Sequence, residues 1–319
     1  MSFVTFVVIH PLTLGSQQQK DGAMADGKTV GVIGLGLVGE ALARRLIEAG
    51  FAVVGFDVDA ARAERLQSYG GSPAGSIAEV AQRAARVLIA VFDTPQVAVV
   101  VEGTGGLIAS GGRLALVHST CDPDQLAALA ARAAGRGFSL LEVPLSGSSA
   151  QIRKGDGVGL LGGSADALAR VTDVLDVICP RRFALGAVGN GSRAKLAVNL
   201  VLGLNRAALA EGLVFAERVG LDPRAFLEVL KGSAAYSQVM ETKGPKMVAR
   251  DFVSEGKVAQ HLKDVHLMFE QAAAHRQALP LAAVHAALLE GCIERGEADL
   301  DNSIVIEEIR RRRTGEQLP

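Results

Sequence analysis

Neither sign of charge dominates this chain: 33 Lys and Arg stand against 34 Asp and Glu, for a net charge of −1, and no basic run is interleaved with aromatics. The electrostatic footprint that nucleic-acid binding requires is missing, which leaves small molecules as the expected partners. Cysteine is scarce as well. Cys121, Cys179 and Cys292 are odd in number, far apart and without CxxC spacing, the pattern of reduced thiols packed in the core of a cytoplasmic protein. Metal-ligand spacing is absent from the six histidines, and His261 and His266 stand five apart rather than four, so no metal is expected. The apolar run Phe3 to Ile9 has no positive charge before it and gives way to Ser16-Gln17-Gln18-Gln19-Lys20. It is too short to span a bilayer and has no convincing cleavage site, so neither a membrane span nor a signal peptide is expected. Residues 1–27 read as a disordered or extended segment, or as the product of a start codon upstream of Met24. There is no internal repeat and no low-complexity tract.

What the chain does have is length and apolar content, 319 residues at 49% hydrophobic, enough for two domains with their own cores. From Lys28 to about Arg182, short β-branched runs alternate with Ala-rich helical stretches, as in a parallel sheet with crossover helices. Strands are expected at Thr29–Ile33, Ala52–Phe56, Val87–Val91, Leu114–Val117 and Ser139–Glu142. Two further segments, Gly157–Leu161 and Arg182–Leu185, flank a helix over Ser164–Val177. Right-handed crossovers make this order a doubly wound α/β fold of the Rossmann type, with its ligand crevice at the carboxyl ends of the strands. After Gly186 the strand signal fades and Ala/Leu/Glu-rich stretches take over, split by Gly220-Leu221-Asp222-Pro223 and Lys243-Gly244-Pro245. The organisation expected is therefore a dinucleotide-binding domain over 28–190 and an all-helical domain over 191–319 for substrate and oligomerisation. The latter opens with a long interdomain helix, N-capped by Ser192 and running to about Val219.

The strand Thr29–Ile33 runs into Gly34-Leu35-Gly36-Leu37-Val38-Gly39, then into a helix ending at Gly50, and an acidic residue, Asp57, closes the next strand. Each part has a mechanical reason. The first glycine makes the turn, the second lets a pyrophosphate approach the backbone, and the third packs helix on strand. The helix N-terminus then offers unpaired N–H groups and a positive dipole to the phosphates. Asp57 would accept hydrogen bonds from the ribose hydroxyls and repel a 2′-phosphate, and Val58 and Asp59 follow it rather than an arginine. NAD is expected as the cofactor, with NADP not excluded because Arg62 lies within reach of a phosphate.

Three scattered segments complete a pattern: Pro144-Leu145-Ser146-Gly147-Ser148, Lys195-Leu196-Ala197-Val198-Asn199 and His261-Leu262-Lys263-Asp264-Val265. With the glycine loop, Asp93-Thr94-Pro95-Gln96-Val97 and Asp301-Asn302-Ser303, they resemble the β-hydroxyacid dehydrogenases. That group holds 3-hydroxyisobutyrate dehydrogenase, tartronate semialdehyde reductase and L-threonate dehydrogenase. The resemblance covers about 28–312. It implies an NAD(P)-dependent oxidoreductase acting on a small β-hydroxy acid or its semialdehyde. It also implies Ser146, Gly147 and Ser148 at the substrate carboxylate, and Lys263 reaching both cofactor and substrate. Val91, Phe92, Gln96 and Thr120 fall where the family contacts the nicotinamide and its ribose.

Moving a hydride between nicotinamide and an alcohol carbon requires a proton to leave or join the oxygen, and a positioned lysine can carry it. Lys195 and Asn199, four apart, share one helix face, expected to look into the crevice between the domains. Burial and a cationic ring nearby would there draw the lysine pKa toward working pH. Two other readings keep the fold, a non-catalytic dinucleotide-binding module and an imine reductase; both are expected without the lysine, so Lys195 speaks against each. Several positions depart from the family pattern: Ser148 for a second glycine, Val117 for an aspartate, Val198 for Asn or His, Glu142-Val143 for Asp-Ala and Phe92 for a proline. These changes touch the crevice and leave the substrate open. Long apolar helix faces lead to an expected homodimer or homotetramer.

Overall fold

The computed structural model describes residues 7–9 and 28–312. Two compact units divide at Met1–Lys195 and Leu196–Pro319, a boundary that falls inside the helix Asn190–Arg218.

The strands of the first unit are β1 (Val7–Ile9), β2 (Thr29–Ile33), β3 (Ala52–Phe56), β4 (Ser72–Pro73), β5 (Arg86–Ile89), β6 (Leu114–Val117), β7 (Ser139–Glu142), β8 (Leu145–Ser146), β9 (Val158–Leu161) and β10 (Arg182–Ala184). Six of them form a parallel sheet in the order β4-β3-β2-β5-β6-β7. Chain order reverses between β2 and β5, the switch point at which a doubly wound sheet opens a ligand crevice. Both faces are covered, which is why the strands read as near-continuous apolar runs rather than alternating ones. On one face Val30, Val32 and Leu88 pack with Leu42, Ala43 and Leu46 of the helix Leu37–Glu48; on the other, Ile33, Val87 and Ile89 pack with Val97 and Val101.

One row of cross-strand partners, Phe56, Ile33, Ile89, Val117 and Glu142, runs across five strands at their carboxyl ends. Every candidate residue of the first unit before the long helix lies just beyond this row.

The sheet is not continued by the last two expected strands. β9 and β10 pair parallel to each other in a separate four-stranded sheet, β1-β10-β9-β8, because the chain leaves β7 and returns antiparallel to β9 as β8. Val7–Ile9, from the N-terminal apolar run, pairs antiparallel with β10; the rest of the expectation for residues 1–27 lies outside the described residues. The helix expected over Ser164–Val177 is two, Ala165–Ala169 and Thr172–Ile178. At the break the Thr172 hydroxyl donates to the Leu168 or Ala169 carbonyl. The strand expected to reach Val91 ends at Ile89, which leaves Val91 in the loop.

Among the described residues the second unit contains helices and a single isolated bridge, Lys257 with Asp301. Length and composition alone would let the helix Asn190–Arg218 cross a membrane. Within its own unit it buries Leu209, Ala210, Leu213 and Val214 against Leu227, Met240, Met247 and Ile306. A second cluster gathers Leu196, Val258, Val265, Leu289 and Ile304.

Asp301 is fully buried. It accepts hydrogen bonds from Lys243 Nζ on both oxygens at 2.9 and 2.8 Å, from the Glu255 N–H at 2.9 Å, and from the Ser303 N–H and hydroxyl at 3.1 and 2.8 Å. The Asp-Asn-Ser segment thus ties three stretches of the helical unit together.

Candidate active site

The glycine loop has the geometry a dinucleotide needs. Gly34 adopts φ +88°, and a Cβ there would meet the Ala90 carbonyl oxygen at 2.5 Å. A Cβ on Gly39 would overlap the Gly34 carbonyl oxygen, so the helix can approach the strand only through glycine. Gly36 differs from both. Space above it is open as far as the Arg62 guanidinium, 3.7 Å from where a Cβ would stand. Gly36 is also the N-cap of the helix Leu37–Glu48, and no side chain caps that terminus. The first-turn N–H groups remain for an anion, as a pyrophosphate would require. Leu35, Leu37 and Val38 supply backbone here, with Leu35 itself buried.

Asp57 ends the strand next to this loop and is buried to 9% exposure. Its Oδ2 accepts the Leu35 N–H at 2.6 Å and its Oδ1 the Asp59 N–H at 2.9 Å. A carboxylate has about four acceptor positions, so capacity for ribose hydroxyls remains. Arg62 approaches Asp57 Oδ2 at 3.4 Å and Asp59 Oδ2 at 3.2 Å. A guanidinium therefore already stands beside both Asp57 and Gly36. These residues fit a nicotinamide dinucleotide: an open glycine, an uncapped helix start and a carboxylate at the end of the neighbouring strand.

Past β5 and β6, two loops are tied together. The Phe92 N–H donates to Gln96 Oε1 at 3.0 Å, Ser119 Oγ donates to the Val91 carbonyl at 2.7 Å, and the Asp122 N–H donates to Thr94 Oγ1 at 2.9 Å. Val91, Phe92, Gln96 and Thr120 thus sit at adjacent strand ends, Phe92 exposed and Thr120 buried.

The next strand carries the rest. Lys195 Nζ donates to the Leu145 carbonyl at 2.6 Å with only 8% of the residue exposed. That places the lysine at the residue before Ser146-Gly147. Gly147 has φ +148°, a conformation that side chains resist. Ser148 has a local occupation: with Gln151 it forms a capping box on the helix Ser149–Lys154, its oxygen accepting the Gln151 N–H at 3.3 Å. Asn199, one turn beyond Lys195, belongs to the second unit, where its amide donates to Asp264 Oδ2 at 2.8 Å; Lys263 pairs with the other oxygen of Asp264 at 3.0 Å.

Two residues here were given no role in the sequence reading. Glu142, fully buried, accepts the N–H groups of Gly189 and Gly191 on Oε2 and of Ser192 on Oε1, at 2.8, 3.0 and 2.6 Å. Burial pushes its carboxyl above the usual range, against the hydrogen bonds it accepts. Ser192 is accordingly not the cap: the helix begins at Asn190, and a carboxylate from β7 serves its first N–H groups. His118 donates Nδ1–H to the Val143 carbonyl at 2.8 Å, while its buried Nε2 meets no partner among the described residues. Burial pushes its pKa down to about 4, so the ring is neutral.

The three cysteines are buried thiols outside any disulfide, with Cys179 and Cys292 pushed up to about 12 by burial. Among the described residues no group of His, Cys, Asp and Glu could hold a metal ion.

A doubly wound sheet with an open glycine loop, an uncapped helix start and Asp57 after β3 defines a dinucleotide-binding domain of the Rossmann type. Comparison with known proteins agrees. Residues 29–186 match the NAD binding domain of 6-phosphogluconate dehydrogenase, and residues 189–309 match the family described as NAD-binding of NADP-dependent 3-hydroxyisobutyrate dehydrogenase. An L-threonate dehydrogenase of Cupriavidus necator is 32% identical over 282 residues, 88% of this chain and 95% of that protein. A 2-hydroxy-3-oxopropionate reductase of Escherichia coli is 29% identical over 87% of this chain and 96% of its own. The crystal structure of 3-hydroxyisobutyrate dehydrogenase from Salmonella typhimurium superposes with a TM-score of 0.80 at 27% identity, covering 88% of this chain and 99% of that one. The chain belongs to the β-hydroxyacid dehydrogenase family, NAD(P)-dependent enzymes acting on CH–OH groups.

Proposed function

We propose that this dehydrogenase interconverts a small β-hydroxy acid and its semialdehyde, with Lys195 as the general acid/base. One observation carries the reading: a buried lysine held at the Leu145 carbonyl, next to the Ser146-Gly147 turn. The bound nicotinamide supplies or accepts the hydride. In oxidation, neutral Lys195 takes the hydroxyl proton; in reduction, its ammonium returns one to the oxygen. Ser146 Oγ and the Gly147 N–H hold the substrate carboxylate, with Ser148 at the edge of that turn. The same proposal gives Asn199 and Lys263, both engaged with Asp264 within the second unit, roles toward the lysine, the substrate or the cofactor, as the family resemblance implies.

NAD is the preferred cofactor in this reading, because the Asp57 carboxylate would repel a 2′-phosphate. Arg62 moderates that preference, being a cation at hand to attract a phosphate. Self-association is proposed on the apolar residues that the long helix exposes, Val198, Val201 and Phe215. A cytoplasmic location belongs to the same proposal and is supported by three buried cysteines that form no disulfide.

The test is a screen of NAD and NADP reduction over three- to five-carbon hydroxy acids, with Lys195→Ala as control. Turnover is expected to fall by about 10²–10⁴-fold in that variant while NAD affinity stays close to that of the parent. Unchanged turnover would sink the assignment.

A further inference from the structure

The segment Glu142-Val143-Pro144-Leu145 is held at every residue. Glu142 clamps three backbone N–H groups at the start of the long helix. The Val143 carbonyl takes His118 Nδ1–H, the Pro144 carbonyl takes the Leu160 N–H at 3.0 Å, and the Leu145 carbonyl takes Lys195 Nζ. Two of these links join the same two pieces of chain. Ser192, bound to Glu142, lies three residues before Lys195, and Glu142 lies three residues before Leu145. Lys195 and its acceptor are thus closed into one ring of contacts.

The clamp is built for a carboxylate. Both oxygens act as acceptors, and a carboxylate at a helix start gains from the N-terminal dipole as well as from charge-assisted hydrogen bonds. The fit leaves no slack: a Cβ on Gly191 would stand 2.5 Å from the Leu160 carbonyl oxygen and 2.9 Å from Glu142 Oε2. A glutamine would match the shape, but its NH2 would face an N–H donor at one end.

Resting on the assignment of Lys195 as the acid/base, we infer that Glu142 is a positioning residue for it: the carboxylate sets where the long helix starts relative to the Leu145 carbonyl, and so where the lysine stands beside the Ser146-Gly147 turn. Removing the charge lets the first turn of the helix shift and takes the lysine off its mark. Displacements of about 1 Å at a reacting group cost on the order of 100-fold in rate.

The experiment is a double-mutant cycle on the full chain, with the hydroxy acid that the screen shows to be turned over fastest. Glu142→Gln is expected to lower kcat at least about tenfold, with little change in the Kd for NADH. The same substitution added to Lys195→Ala is expected to leave the residual rate nearly unchanged, because the group it positions is already gone. Competitive acetylation read by mass spectrometry needs no substrate: Lys195 is expected to label severalfold faster in Glu142→Gln, with Lys263 unaffected. A parent-like kcat in Glu142→Gln overturns the inference alone. So does an equal loss in the two backgrounds, or unchanged labelling of Lys195. Full turnover in Lys195→Ala overturns the assignment beneath it. Glu142→Asp, which keeps the charge on a shorter arm, runs the same cycle should Glu142→Gln fail to fold, with a smaller loss of kcat that again vanishes without Lys195.

Discussion

Replacing Asp301 by asparagine keeps the size of the side chain and removes its charge. The loss is large for a reason visible in its contacts. Five hydrogen bonds converge on two fully buried carboxylate oxygens, and two of them come from Lys243, which is itself buried. Although burial alone raises the Asp301 pKa, Lys243 and the other donors outweigh it and hold the carboxyl below the usual range. Asparagine would present an NH2 group to an ammonium and leave that ammonium uncompensated. Breaking a buried ion pair from one side costs about 3–5 kcal/mol. Arg206 adds to the loss. It is buried near Asp301, and its Nε and Nη2 have no acceptor among the described residues. The assay is urea denaturation of the full chain at pH 7, followed by far-UV circular dichroism, for Asp301→Asn and for the double variant Lys243→Met/Asp301→Asn. The double variant keeps an amide oxygen for the Glu255 and Ser303 donors and removes the uncompensated ammonium, so it is expected to be the more stable of the two. A single variant within about 1 kcal/mol of the parent, or a double variant less stable than the single, would refute the account.

Gly39→Ala is expected to cost about 1–3 kcal/mol or more, since its Cβ would overlap backbone; NADH titration should show weakened binding, and parent-like affinity would contradict the packing argument. Asp57→Ala should weaken NAD binding about 10- to 100-fold, the worth of hydrogen bonds to a charged group, and NADP binding less. The reverse order would remove Asp57 from the ribose. Stability should also depend on pH through His118. Its folded pKa, about 4, lies below the unfolded value of about 6.5, so protons favour the unfolded chain. The contribution is complete above about pH 6.5 and is lost as the pH falls from there toward 4, up to about 3 kcal/mol. His118→Gln should flatten that slope in denaturation curves taken at pH 5 and pH 7, and an unaltered slope would show that the ring is not buried neutral.

The parts of the site that were legible in the sequence are those built by local geometry. The glycine loop is one, because Gly34 needs a positive φ and Gly39 needs a bare Cα, and both demands show in a six-residue motif. Strand ends are another, since Asp57 follows directly from where β3 stops. What could not be read depends on chain segments far apart. Ser192 has the chemistry of an N-cap, but a carboxylate 50 residues earlier outcompetes it. The break before Thr172 falls where Ala-rich periodicity alone would continue the helix. Ser148 is instructive in a different way: Ser148-x-x-Gln151 is a capping-box signature, legible by itself, yet in the family pattern it reads as a pocket residue. The Asp301 clasp lies between these cases. Its residues stand out as a motif, but their use as a fastening appears only when Lys243 and Glu255 are brought to them.

The lysine's partner at Leu145 is a main-chain oxygen, and this bears on how the enzyme can be altered. A side-chain partner can be lost to a point mutation; a carbonyl is present whatever residue occupies the position. On the proposed role of Lys195, the turn beside it, from position 145 through Ser146 to Ser148, can therefore be randomised with the lysine's docking point retained in every clone except those that distort the backbone. For directed evolution, this arrangement separates a variable lining from an invariant anchor.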